Sequence, residues 1–237
     1  MVKSRLNTVI KWFAILFWVI AVIAIGWYSY DRLPPEHNPF VPLSIEDPIG
    51  LATGTKISGL KSDPSACFSF LDEARIRYTA LDASLPGEPC GFYNALTLDR
   101  SALPYNSTLR MTCGLTAALA VWERQALVPR AAEYFEAPPV KVLSFGSYSC
   151  RRLYGRSSGR YSQHATGNAI DIQGVELADG TRITLLEHWG QDSPKGRFLK
   201  ALRDDSCELF STVLGPDYNA AHANHFHLDM SPTGVCR

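Results

Sequence analysis

Ser162-Gln-His164-Ala-Thr-Gly167-Asn-Ala169-Ile-Asp171-Ile-Gln173 and His225-Phe-His227-Leu-Asp229 read as two halves of one pattern. Successive side chains of a strand point to opposite faces. Ile170 and Ile172 therefore share one face and Asp171 takes the other, while Phe226 and Leu228 lie opposite His225, His227 and Asp229. Each half has an apolar side for a core and a polar side made of metal-ligand residue types. Paired side by side, the strands bring Asp171 to His227, and His164 folds back from the preceding loop. Two imidazoles and one carboxylate form a three-ligand set that leaves zinc a position for water, as in catalytic rather than structural sites. For either half alone, the alternative is an ordinary hydrogen-bonded His and Asp on a polar strand face.

Outward from this pattern, 237 residues at 46% apolar content are enough for one domain with a sizeable core, plus appendages. Basic and acidic residues balance at 23 each, which argues against a nucleic-acid surface and its basic excess. The six cysteines, at 67, 90, 113, 150, 207 and 236, include no CxxC pair. An even, scattered set reads as three disulfides formed in an oxidising compartment, with buried free thiols as the alternative. Many pairings are open; proximity in sequence favours Cys67–Cys90, Cys113–Cys150 and Cys207–Cys236.

Residues 12–28 form an unbroken apolar run behind Lys3, Arg5 and Lys11. With Val9 and Ile10 the run approaches the roughly 20 residues a membrane helix needs. Trp12, Trp18, Trp27, Tyr28 and Tyr30 include interfacial anchors. Bulky Trp27-Tyr-Ser-Tyr30 stands where a small-residue cleavage site would be, so an uncleaved anchor over residues 1–30 is favoured over a signal peptide. The positive-inside rule keeps its N-terminus in the cytoplasm and delivers the rest outside. Prolines 34, 35, 39 and 42 make residues 31–46 an extended tether that attaches near its end to a domain over residues 47–237.

Within that domain Asp63-Pro64 starts a helix, residues 87–91 carry turn chemistry, and residues 92–98 and 109–112 read as strands. A helix over residues 112–126 restarts at Pro129, and a strand follows over residues 140–144. Residues 175–177 and 183–185 flank Asp179-Gly180 as a hairpin. Ser193-Pro194 starts the last helical region, with a break expected around Asp204-Asp205. The sum is a small α+β domain with helices packed on a mostly antiparallel sheet.

The pattern from Ser162 to Ile172, followed by His-x-His, resembles the zinc peptidases that cut D-amino-acid bonds in bacterial walls. These are the D-Ala-D-Ala carboxypeptidases and dipeptidases and the penicillin-insensitive murein endopeptidases. Gly146-Ser-Tyr-Ser-Cys-Arg151, Val213-Leu-Gly-Pro-Asp-Tyr-Asn-Ala-Ala-His222 and the two halves above resemble the bacterial extensin-like C-terminal domain family more closely. The resemblance implies a D-Ala-D-Ala peptidase/hedgehog-like fold, one zinc on His164, Asp171 and His227, and peptidoglycan peptide stems as substrate.

Many of these relatives carry Glu or Asp three residues before the last ligand; this chain has Asn224, and an amide cannot act as a base. His222, His225 and His227 instead form H-x-x-H-x-H, similar to the murein endopeptidases, which implies His225 as the proton-transfer group and His222 as a second. Arg151 is the candidate for steadying a developing oxyanion. The expected function is a periplasmic zinc peptidase anchored in the bacterial inner membrane. A non-catalytic wall-binding or scaffold protein is the alternative, and Asn224 favours it.

Overall fold

The computed structural model describes residues 2–30, 32–84, 88–232 and 234–237. Helix α1 (Val2–Tyr30) contains the apolar window Ile10–Tyr28, 19 residues of mean hydropathy 2.2 whose side chains face outward. By length and composition it can cross a membrane or serve as a signal. The remainder is α+β, with a three-stranded antiparallel sheet of β1 (Arg77–Ala80), β2 (Ala95–Arg100) and β3 (Leu109–Thr112). A larger sheet contains β4 (Pro139–Gly146), β5 (Ala169–Leu177), β6 (Arg182–Thr184), β7 (Thr212–Leu214), β8 (Phe226–Asp229) and β9 (Val235–Cys236). Its order is β4-β5-β8-β7-β9, β6 also pairs with β5, and β7–β9 is its parallel pair.

Helices α2 (Thr53–Leu60), α3 (Pro64–Glu73), α4 (Cys113–Val121), α5 (Val128–Tyr134), α6 (Leu185–His188) and α7 (Pro194–Leu209) complete the fold. α4 is the spine: every residue in it is buried, and its first turn is capped by the Thr112 hydroxyl accepting from Leu115 N at 3.3 Å. A helix apolar all round has to lie inside. Trp122, Phe198 and Phe226 are the largest fully buried side chains in the surrounding core.

Several sequence expectations hold locally. The Asp63 carboxylate caps α3 from Ala66 N at 3.0 Å with Pro64 in the first turn, and the Asp179-Gly180 hairpin joins β5 to β6. The strand expected at residues 92–98 begins later, at Ala95, because Asn94 has φ 48° and breaks the extended run. Gly87, part of the expected 87–91 turn, lies outside the described residues. Between α4 and α5 the chain makes a π-helical stretch, Trp122–Leu127, rather than a break. Pro129 offers no N–H to the turn before it, and the wider turn absorbs that loss.

The break expected at Asp204-Asp205 is absent; α7 runs on to Leu209. Tertiary contacts override the local signal there. Arg130 grips the Asp205 carboxylate with two donors at 2.7 and 2.9 Å, and the Ser206 hydroxyl accepts from the buried Trp122 indole at 2.9 Å. Two of the three expected disulfides are also corrected: the pairs are Cys67–Cys113, Cys90–Cys150 and Cys207–Cys236. α3 packs on the start of α4, so Cys67 meets Cys113 across helices rather than Cys90 along the chain. Gly91 N donates to Ala165 O at 3.0 Å, which carries Cys90 to the loop holding Cys150. In the proline-rich segment Leu43 is buried in the core, and Lys56 Nζ donates to Pro35 O at 2.7 Å.

A candidate metal centre

β5 and β8 pair antiparallel with Ala169 opposite Asp229, Asp171 opposite His227 and Ile172 opposite Phe226. Ile170, Ile172, Phe226 and Leu228 enter the core, so Asp171 and His227 share the other face. His164 comes from the short turn Gln163–Thr166, which ends on Gly167 at φ 66°. A Cβ at Gly167 would meet Arg110 O at 3.0 Å, so the site needs a residue free to take the left-handed conformation without one. That turn swings the imidazole back over β5.

Three atoms converge there. His164 Nε2 lies 3.2 Å from Asp171 Oδ1 and 3.1 Å from His227 Nδ1, and His227 Nδ1 lies 3.0 Å from the same carboxylate oxygen. The far nitrogen of each ring is committed elsewhere: His164 Nδ1 to Ser147 O at 2.5 Å, His227 Nε2 to Asp229 Oδ2 at 3.0 Å. A carbonyl and a carboxylate only accept, so those two nitrogens carry protons; the inward pair then offer lone pairs to a metal ion, or without one share a further proton with Asp171. Two lone pairs and a carboxylate oxygen at such distances repel unless a cation, a proton or a metal ion, sits among them. A tetrahedral zinc with bonds of about 2.0–2.1 Å spaces its ligands about 3.3 Å apart, so the donor set fits. Among the described residues this is the one cluster of its kind.

The electrostatics follow from burial and these contacts. Burial raises the Asp171 carboxyl, but the hydrogen bonds and charges of His164 and His227 outweigh it and hold it well below the usual carboxylate range. Burial lowers His227, yet its bonds to Asp171 and Asp229 win and raise it to about 9. For Asp229 burial pushes upward and the His227 and Ser231 hydrogen bonds bring it below its ordinary value.

The other sequence candidates lie beside the cluster. His225 Nε2 is 3.5 Å from Asp171 Oδ1, and its Nδ1 meets Asn224 Oδ1 at 2.9 Å. Phe145, exposed on β4, meets the His225 ring edge-on at 5.6 Å between centroids. Burial is the main cause lowering His225, helped by the charges of His227, His164 and Arg151 and opposed by Asp171. His222 is buried, with Nδ1 on Asn219 Oδ1 at 2.8 Å and its ring centroid 5.3 Å from that of His225. Burial first, then the charges of His227 and His225, bring it down to about 4. Arg151 is exposed; its charge reaches His222 and His225 without a direct hydrogen bond. Trp189 is half-buried and packs against the core, edge-on to Phe226 at 5.5 Å with its indole N–H on Asp217.

Sequence reasoning missed the partners that aim these rings. Asp229 was legible, sharing a strand face with His227 two residues away. Asn219 is equally local, capping the turn three residues before His222, but went unread; the Ser147 carbonyl was not legible, since only the folded chain brings it to His164.

The fold and cluster define an α+β domain in which two paired strands and one turn assemble a buried two-histidine, one-carboxylate centre. The chain belongs to the family described as Extensin-like protein C-terminus, whose model matches residues 65–237. No curated protein and no solved structure matched it.

Proposed function

We propose that this protein is a zinc-dependent peptidase of peptidoglycan with a D-Ala-D-Ala peptidase-like fold, cutting an amide bond next to a D-amino acid. It is held in the bacterial inner membrane by α1, with its N-terminus in the cytoplasm and the domain in the periplasm. The observation that carries this reading is the convergence of His164 Nε2, Asp171 Oδ1 and His227 Nδ1 within 3.2 Å, both rings turned inward by fixed partners. Zinc bound there supplies Lewis acidity and a water acidified to near neutral pH. The substrate class comes from the resemblance to wall peptidases; the three disulfides and apolar α1 support the compartment.

The remaining steps belong to the chain's own side chains. His225, hydrogen-bonded through Nδ1 to Asn224, turns Nε2 toward the cluster and takes the proton of the attacking water, later giving it to the leaving amine. His222, fixed by Asn219 and kept neutral by burial, is the second proton carrier. Arg151 brings positive charge to the oxygen of the breaking amide.

The second reading, a wall-binding or scaffold protein without catalysis, is favoured by Asn224, where an amide stands in place of a carboxylate base. One experiment separates them. Purified sacculi are incubated with zinc-loaded protein, with chelated protein and with His225→Ala, and soluble muropeptides are measured. Release that needs both zinc and His225 supports the peptidase; no release by well-folded protein carrying zinc refutes it.

A further inference from the structure

We propose that residues 149–164 form the wall of the site that receives a carboxylate of the substrate, an inference that rests on the wall-peptide reading above. This segment holds Arg151, Arg152, Arg156 and Arg160 and no acidic residue, in a chain whose basic and acidic residues balance only as a whole. It doubles back on itself: Ser162 N donates to Arg151 O at 3.0 Å, Leu153 N to Arg160 O at 3.0 Å, and Arg152 bridges to Tyr161. Arg152 is spent internally, on Gly159 O and over the Tyr161 ring at 4.2 Å. Arg156 and Arg160 are exposed. No described carboxylate is in ion-pair reach of these two, so both charges stay open to solvent.

Both ends of the hairpin are fixed to the site. At its base Ser149 N donates to His164 O at 3.0 Å, and Cys150 is locked to Cys90. Further out, the Tyr154 hydroxyl accepts from Asn219 Nδ2 at 3.3 Å, and Asn219 is the residue that aims His222. Tyr154 reaches it with φ 56°, a left-handed conformation that bulky side chains avoid and that concentrates at functional sites. The acids on neighbouring elements do not neutralise the arginines: Asp171 and Asp229 face the histidines, and Asp217 is held by Trp189 and Arg203. An exposed basic hairpin tied to the turn that carries His164 and to the residue that holds His222 selects an anionic group, and the carboxylates of wall peptides match it.

The test uses the full chain in detergent with chelator present, so that binding is read without cleavage. Sacculi carry free carboxylates or carboxylates capped as carboxamides, and co-sedimentation gives the affinity. Amidation, or the pair Arg156→Gln/Arg160→Gln, is expected to weaken binding about 5–10-fold while zinc stoichiometry stays unchanged. Equal binding to amidated sacculi, or by the double variant, overturns the proposal. Muropeptide release by zinc-loaded protein is scored in parallel. Charge-dependent binding without release sinks the peptidase reading and keeps the hairpin's role; release with charge-blind binding does the reverse.

Discussion

Asp229→Asn isolates the role of the partner behind a ligand while keeping the shape of the side chain. Asp229 is 5% exposed; Oδ2 accepts from His227 Nε2 at 3.0 Å and Oδ1 from Ser231 N at 2.8 Å. An asparagine keeps one oxygen for Ser231 and turns an amide donor toward His227 Nε2–H. Two donors then face each other. The imidazole must rotate or move its proton to Nδ1, the nitrogen that points at His164 and Asp171. Loss of such an outer partner ordinarily weakens metal affinity about 10–100-fold, or about 1.4–2.7 kcal/mol. Zinc affinity of the full chain, read by competition with a chromophoric chelator at neutral pH, is expected to fall by that factor, while His227→Ala abolishes stoichiometric binding. The thermal midpoint of the chelated protein reports any separate cost at Ser231. If Asp229→Asn binds zinc within about twofold of wild type, the carboxylate only holds the turn and the reasoning about ring orientation is wrong.

Other outcomes follow from the same physics. Glu123 is fully buried and accepts from Ser101 Oγ, Tyr105 OH and the Ala102 and Leu103 amides; burial nonetheless pushes its carboxyl from 4.5 up to about 7. The folded chain thus keeps a proton the unfolded chain releases, so stability falls as pH rises from 4.5 to about 7, by about 3 kcal/mol from this group. Urea titrations across that range are expected to show a flatter profile in Glu123→Gln, and parallel profiles would contradict the assignment. Ser206→Ala leaves the Trp122 indole N–H without its acceptor inside the core and is expected to cost about 1–3 kcal/mol in chemical denaturation. A double Cys90→Ser/Cys150→Ser variant opens a link across 60 residues and is expected to lose about 4 kcal/mol. An unchanged denaturation midpoint would show that the neighbouring contacts hold residues 149–164 without it.

Much of the centre was legible because strand periodicity is strict. With Ile170, Ile172, Phe226 and Leu228 committed to a core, Asp171 and His227 had to share the opposite face, and the observed register places them side by side. His164 was legible for a different reason, as a ligand-type residue in the loop just ahead of the strand; the structure supplies the turn, ending on Gly167, that folds it back. Helix starts at Pro64 and Pro194 were equally local, each set by a capping side chain and a proline that needs no donor.

What stayed hidden depends on neighbours distant in sequence. Asp204-Asp205 reads as a helix break until Arg130 arrives to hold Asp205. Cys67 and Cys90 are nearer to one another along the chain than their true partners, and only the packing of α3 on α4 and the Gly91–Ala165 contact exchange them. The residues that aim the histidines divide the same way: Asp229, Asn224 and Asn219 lie on the histidines' own segment, while Ser147 and Tyr154 reach it from other parts of the chain. The sequence alone determined which residue types face one another across the two strands, because a period of two leaves no alternative once one face is apolar. The tertiary structure decided disulfide partners, helix continuity and the orientation of the His164 ring, because each rests on a contact between segments whose separation along the chain carries no information about their distance in space.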